Sequence, residues 1–194
     1  TFIQREVAAV RAAGVEVVTC TIRRAPPGDV LSDQKAEAAA TFCVLEAAGN
    51  PARLIAAHAR TLARAPGTWL ATLRLALRTR PPGLRALLWQ IFYFAEAAVL
   101  SEHLRGRGVI HLHNHFGNSS CSVAMLASAL SGIPFSFTEH GPAIFFEPER
   151  WALGEKIARA RFVVAISHFC RSQLMLFSDP AHWGKIAIVH CGVD

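Results

Sequence analysis

The sequence predicts an α/β fold, a Rossmann-like parallel sheet with flanking helices and a helical insertion in the middle of the chain. Three observations predict it. Short runs of apolar and β-branched residues at 15–22, 109–116, 135–138, 162–166 and 186–190 are too apolar for strands with one wet face. The segments between them are long enough for crossover helices, which makes neighbouring strands parallel. Glycine and polar residues gather where two of the runs end, at His115-Phe116-Gly117-Asn118 and Glu139-His140-Gly141. In an open parallel sheet that edge is where ligands bind.

Taken in order, residues 1–13 read as an amphipathic helix, with Phe2, Ile3, Val7 and Val10 on one side, ended by Gly14. Residues 15–22 are expected to be an interior parallel strand, and Pro26-Pro27-Gly28 a loop. A doubly wound sheet requires a strand and a phosphate-facing turn ahead of the first helix, so both are expected before Thr1. The chain is therefore expected to be part of a longer protein, since it opens without an initiator methionine and stops at Cys191-Gly-Val-Asp194 directly after a strand.

Residues 33–105 read as helix almost throughout, divided at Pro51, Pro66-Gly67 and Pro81-Pro82-Gly83, with a short strand as the alternative at 41–45. The strand 109–116 lies between Gly108 and Gly117. Ser119 or Ser120 is expected to cap the helix that follows, whose apolar face is Val123, Leu126, Ala127 and Leu130. Gly132 and Pro134 end it. After the strand 135–138 come a charged loop at 147–150, a helix at 153–160, the strand 162–166, a helix at 168–177 capped by Ser167, a break at Asp179-Pro180, and the strand 186–190.

With 52% hydrophobic and 18% charged residues the chain is not disordered, and 1–194 is read as one domain. Five cysteines, an odd number without a CxxC pair, suit reduced thiols and a cytoplasmic protein. The apolar run 86–100 is interrupted by Gln90 and Glu96 and is shorter than the roughly 20 residues of a membrane span, so no spanning segment is expected. Much of the net charge of +6 lies between 53 and 107, where arginines alternate with leucine, Trp69 and Trp89. That composition fits a solvated helical face or a surface resting on anionic lipid. No nucleic-acid motif accompanies it, so nucleic acid is not an expected partner.

His111, His113 and His115 alternate along one strand and so share a face, and His-x-His spacing can place two imidazoles on one zinc ion. Without an HExxH motif or a third ligand nearby, the metal-dependent hydrolase this suggests is an alternative reading. Buried, hydrogen-bonded rings are expected for His111 and His113, and ligand contact for His115. Gly117-Asn118-Ser119 offers backbone N–H groups at a helix start, but neither GxGxxG nor GxxxxGK[ST] is present. Glu139 could act as an acid or base, and His140 and Gly141 could meet a ligand at the strand end. Ser167 and Arg171, at the start of a later helix, are weaker candidates for an anion or donor-side contact.

The run SFTEHGPAIFFEP…LGEKIARARFVVAISHFCRSQL…WGKIAIVHCGVD, preceded by HLHNHFGNSSCSVAMLASALSGIPFSFT, resembles the N-terminal domain of family 4 glycosyltransferases, especially bacterial exopolysaccharide and colanic-acid-type enzymes. TFIQREVAAVRAAGVEVVTCTIRR is similar to that family's first helix and second strand. The resemblance implies GT-B architecture: an acceptor-side domain facing a second, donor-binding domain across a cleft. It implies retention of anomeric configuration, a nucleotide-sugar co-substrate, a saccharide or lipid-linked acceptor, and no metal or other cofactor. By motif, His140 matches the histidine that approaches the transferred sugar, Gly141 its neighbour, and His115 to Asn118 the turn on the acceptor side. Gly192 belongs to a run matching the end of the first domain. Ala143 and Ile144 stand where relatives carry polar residues. The donor-binding residues belong to a second domain, so these 194 residues are expected not to turn over alone. A peripheral position at the inner face of the membrane is the expectation from the arginine-rich helices within 53–107, and a non-catalytic membrane-surface module is the remaining alternative.

Overall fold

A computed structural model describes residues 2–190. The expected α/β fold is present, with its strands divided between two parallel sheets. Helix α1 (Phe2–Ala12) ends at Gly14, whose φ of 86° is the left-handed conformation glycine adopts at low cost. Strand β1 (Cys20–Thr21) pairs in parallel with β2 (Phe42–Cys43), and these two form a sheet of their own. The run 15–22 is thus not the long interior strand its composition suggested: only two residues enter a ladder, both half-buried. The short strand within 41–45 is present.

The second sheet has the order β3-β4-β5-β6, all parallel: β3 (Leu112–His115), β4 (Phe135–Glu139), β5 (Val163–Ala165) and β6 (Ile186–Ile188). β3, β5 and β6 are trimmed versions of their expected runs, because the ladders use only part of each apolar stretch, while β4 runs one residue past its expected end, to Glu139. His115 lies opposite Thr138, and Glu139 opposite Ala165, so the carboxyl ends of these strands share an edge.

Helices fill the middle: α2 (Lys35–Ala40), α3 (Val44–Ala48), α4 (Pro51–Arg64), α5 (Pro66–Arg78) and α6 (Leu84–Gly106). Pro51 and Pro66 each begin a helix, where a missing N–H costs nothing. The longest, α6, has 23 residues and by length and composition could cross a membrane, a longer apolar helix than the run 86–100 implied. Its C-terminal half lies in the core: Phe94, Ala97, Ala98, Val99, Leu100 and Leu104 are buried, and α6 packs along α7 (Ser119–Ser131). Alanines on both helices allow the close approach, and α7 buries most of its length. Gln90 and Glu96, the interruptions in the apolar run, both face inward. Gln90 Nε2 donates to Ala76 O and Thr79 Oγ1. Glu96 Oε2 has no partner among the described residues, and burial pushes its carboxyl up to about 7.

α8 (Leu153–Arg159) and α9 (His168–Leu176) complete the alternation, with Ser167 Oγ accepting from Cys170 N as the cap of α9. One cap differs from expectation. Asn118, not Ser119 or Ser120, caps α7: its Oδ1 accepts from both Ser120 N and Ser120 Oγ.

Candidate functional site

The site is built at the carboxyl ends of β3 and β4. Past His115 the chain turns sharply at Phe116, whose φ of 68° is left-handed and uncommon for an aromatic residue. Two side-chain amide bonds from Asn114 support that geometry, Nδ2 donating to His115 O at 3.0 Å and Phe116 O at 2.7 Å. Gly117 follows, and its N–H donates to Glu139 Oε2 at 2.7 Å. A Cβ on residue 117 would lie 2.7 Å from that same oxygen, so the bond is compatible only with glycine there.

Glu139, offered by the sequence as an acid or base, is engaged with backbone. Its side chain is buried and turned into the protein, where Oε1 accepts from His140 N at 3.2 Å and Gly141 N at 3.3 Å. One carboxylate thus ties the turn after β3 to the turn after β4. Burial raises its pKa, while the three backbone N–H groups and the nearby Lys156 ammonium hold the rise down. Lys156, on α8, is fully buried and grips the first turn from the other side, Nζ donating to Gly117 O at 2.7 Å and Asn118 O at 2.9 Å. Burial pushes its ammonium down to about 8, against the pull of Cys121 and Glu139.

These clamps present two imidazoles side by side. His115 Nδ1 and His140 Nε2 are 3.0 Å apart, within hydrogen-bond distance, and the rings lie 5.2 Å apart. Burial lowers both pKa values, with the His115 charge a further cause at His140. Both rings are therefore neutral at pH 7, so one ring nitrogen donates and the other accepts. Phe116 stands 5.0 Å from the His140 ring, and Phe2, from the first turn of α1, covers it at 4.5 Å. A pair of coupled, half-buried, neutral imidazoles beside glycine backbone can orient a hydroxyl and donate to a ligand oxygen.

His111 and His113 are bonded within the sheet, as expected. Ser136 Oγ lies 2.7 Å from His111 Nε2 and 2.7 Å from His113 Nδ1, and Thr138 Oγ1 lies 2.9 Å from His113 Nε2. Burial and neighbouring imidazoles push His113 down to about 4. Among the described residues the three strand histidines do not make a three-imidazole ligand set; the group close enough to share an ion is Glu6, His113 and His115.

The weaker candidates are engaged elsewhere. Ser167 is a helix cap, and Arg171 Nε donates to Ile186 O at 3.1 Å, tying α9 to β6. Asn118 spends its side-chain oxygen on the α7 cap. Gly192 lies outside the described residues. Sequence reasoning missed Lys156, Asn114, Phe2 and Glu6. Lys156 sits between Glu155 and Arg159 in an ordinary charged helix, so no local signal marks it; Phe2 and Glu6 reach the site only through the placement of α1.

Comparison with known families matches the whole chain, residues 1–194, to the family described as Glycosyltransferase Family 4. The chain belongs to that family, and the α/β fold with parallel sheets and flanking helices is consistent with its Rossmann-like N-terminal domain. Glycosyl transfer, with a sugar donor and an acceptor, is the activity the family supports. No curated protein matches the chain.

Proposed function

We propose that this domain forms the acceptor side of a retaining glycosyltransferase, which moves a hexosyl group from a nucleotide-sugar to a saccharide carried on a lipid in bacterial surface polysaccharide synthesis. The His115–His140 pair at the shared strand edge is the observation that carries this reading. In the transfer the bond from the anomeric carbon to the diphosphate oxygen breaks, the acceptor oxygen bonds that carbon, and the acceptor proton leaves. Charge builds on the sugar and the departing diphosphate, so fixed dipoles and hydrogen-bond donors lower the barrier. His140 bonds the transferred sugar. His115, the Gly117 and Gly141 backbone and the Asn118 turn place the acceptor, while Glu139 and Lys156 hold those turns. Nucleotide-sugar is the co-substrate, and a second domain supplies the donor site.

Assayed with nucleotide-sugars and a lipid-linked saccharide, the enzyme paired with its donor domain yields a product whose new linkage keeps the donor's anomeric configuration, read from the anomeric proton coupling. An inverted linkage would remove retention from the reading. These residues assayed without a donor-binding domain give no turnover.

A cytoplasmic protein resting on the inner membrane face agrees with the surface of α6. Leu84, Leu88, Ile91 and Phe92 recur at helical spacing and are exposed, with Trp89 beside them and Arg80 and Arg85 near the helix start. Anionic vesicles should bind the protein, and the double variant Leu88→Glu, Phe92→Glu should weaken sedimentation with them at least about tenfold. Equal binding of the variant would remove the lipid contact from the proposal.

A further inference from the structure

We propose that Glu6, His113 and His115 form a binding site for one divalent transition-metal ion of the zinc type, which fastens α1 to the edge of β3. Zinc takes imidazole nitrogen and carboxylate oxygen, whereas calcium and magnesium prefer all-oxygen sets. Here two imidazoles and one carboxylate offer ligand atoms that all lie within 4.8 Å of one another. Glu6 Oε1 is 3.9 Å from His113 Nε2, and Glu6 Oε2 is 4.0 Å from His115 Nε2. A tetrahedral ion with bonds of about 2.0–2.1 Å spaces its ligands roughly 3.3 Å apart, so the donors need to close by about 0.5 to 1.5 Å.

The closure is drawn on the α1 side. No residue of α1 is buried, and the helix is tied down by Arg11, which bonds Glu37 and Val17 O, and by Phe2 against the rings. Glu6 is an exposed side chain on that helix.

Each histidine already has the second partner that metal ligands use to set ring orientation and tautomer. His113 Nδ1 faces Ser136 Oγ at 2.7 Å, and His115 Nδ1 faces His140 Nε2 at 3.0 Å. With both rings protonated at Nδ1, both Nε2 lone pairs are left to accept an ion, and each Nε2 lies within about 4 Å of a Glu6 oxygen. His113 donates to Ser136 Oγ, whose own hydroxyl hydrogen passes on to His111 Nε2. Thr138 Oγ1, 2.9 Å from His113 Nε2, makes room for the ion by rotation of the side chain about its Cα–Cβ bond. His111 is outside the cluster: its Nε2 is committed to Ser136, and its ring stacks on Phe162 at 5.5 Å. Three protein ligands leave one position for water.

The site shares His115 with the acceptor side but does not rest on the proposed transfer, because its test reads ion binding alone. Titrating the full chain with zinc chloride by calorimetry should give one ion per chain. Glu6→Gln, His113→Ala and His115→Ala should each weaken binding at least about tenfold, while His111→Ala stays within about twofold. Cobalt in place of zinc should give the visible absorption of a four-coordinate ion, lost in Glu6→Gln. Because Glu6 is exposed, Glu6→Gln keeps the circular dichroism of the parent and serves as the deciding variant even where a histidine change unfolds the sheet edge. No stoichiometric zinc, binding unchanged in Glu6→Gln, or loss on His111→Ala equal to that on His113→Ala would overturn the proposal.

Discussion

Replacing His140 with alanine lowers the kcat of glycosyl transfer about a hundredfold or more, the loss that follows removal of a fixed donor at a site of developing charge. The fold survives, because the His140 backbone N–H, not its ring, is what Glu139 holds. His115→Ala has a smaller effect, about tenfold, and the double variant falls short of the product of the two, because the rings share one hydrogen bond. The acid limb of kcat/KM reports the same pair. Both pKa values lie below the usual imidazole value of 6.5, so activity is retained at pH 7 and lost on acidification, when two ring N–H groups face each other and the bond between them breaks. Near-normal transfer by His140→Ala would sink the assignment of this site.

The second large effect concerns Lys156. Lys156→Ala leaves Gly117 O and Asn118 O without their donor, removes the cation beside Glu139 and opens a cavity under α8. Unpartnered buried acceptors cost about 1–3 kcal/mol each, and a truncated long side chain adds more, so the loss should be about 3–5 kcal/mol. For a chain of this size that lowers Tm by roughly 6–20 °C, measured by scanning calorimetry. Lys156→Met fills the space and escapes the burial of a charge, so it loses less.

The pH dependence separates the two effects. The folded-state pKa of Lys156, about 8, lies below the unfolded value of 10.5, so the unfolded chain binds more protons between them. Stability therefore rises with pH across that window and is lost as pH falls through about 8. Between pH 8 and 9 the gain should be about 1 kcal/mol in the parent and absent in Lys156→Met. Above pH 9 the half-buried thiol of Cys20 and the buried thiols of Cys121 and Cys170, pushed up by burial to about 11, 12 and 11, pull the other way. A parent curve that is flat from pH 8 to 9 would show that the ammonium is not held as described.

Much of this fold is legible in local sequence, because strands buried on both faces are written as β-branched runs and helices end where glycine or proline forces them to. All five expected strand runs contain a strand, and Pro51, Pro66 and Gly132 mark helix boundaries. The lengths were not legible. Val15 and Val17 are as β-branched as any core strand, yet only Cys20 and Thr21 find a ladder, since pairing depends on a neighbour that local composition does not specify.

At the site, the strand-end position foretold that His115 and His140 would meet. Glu139 was misjudged because a strand-end carboxylate reads the same whether it faces out or folds back onto backbone N–H groups. Lys156 and Glu6 lie far along the chain from the turns they touch, and no spacing rule joins residue 6 to 113, or 156 to 117.

The bond between Gly117 N and Glu139 has a consequence for how relatives of this chain can diverge. Any side chain at 117 would collide with the carboxylate that anchors it, and a shorter acid at 139 would vacate the space but lose its reach to residues 140 and 141. Positions 117 and 139 are therefore coupled: a single change at either one breaks the turn, so they are expected to change only together.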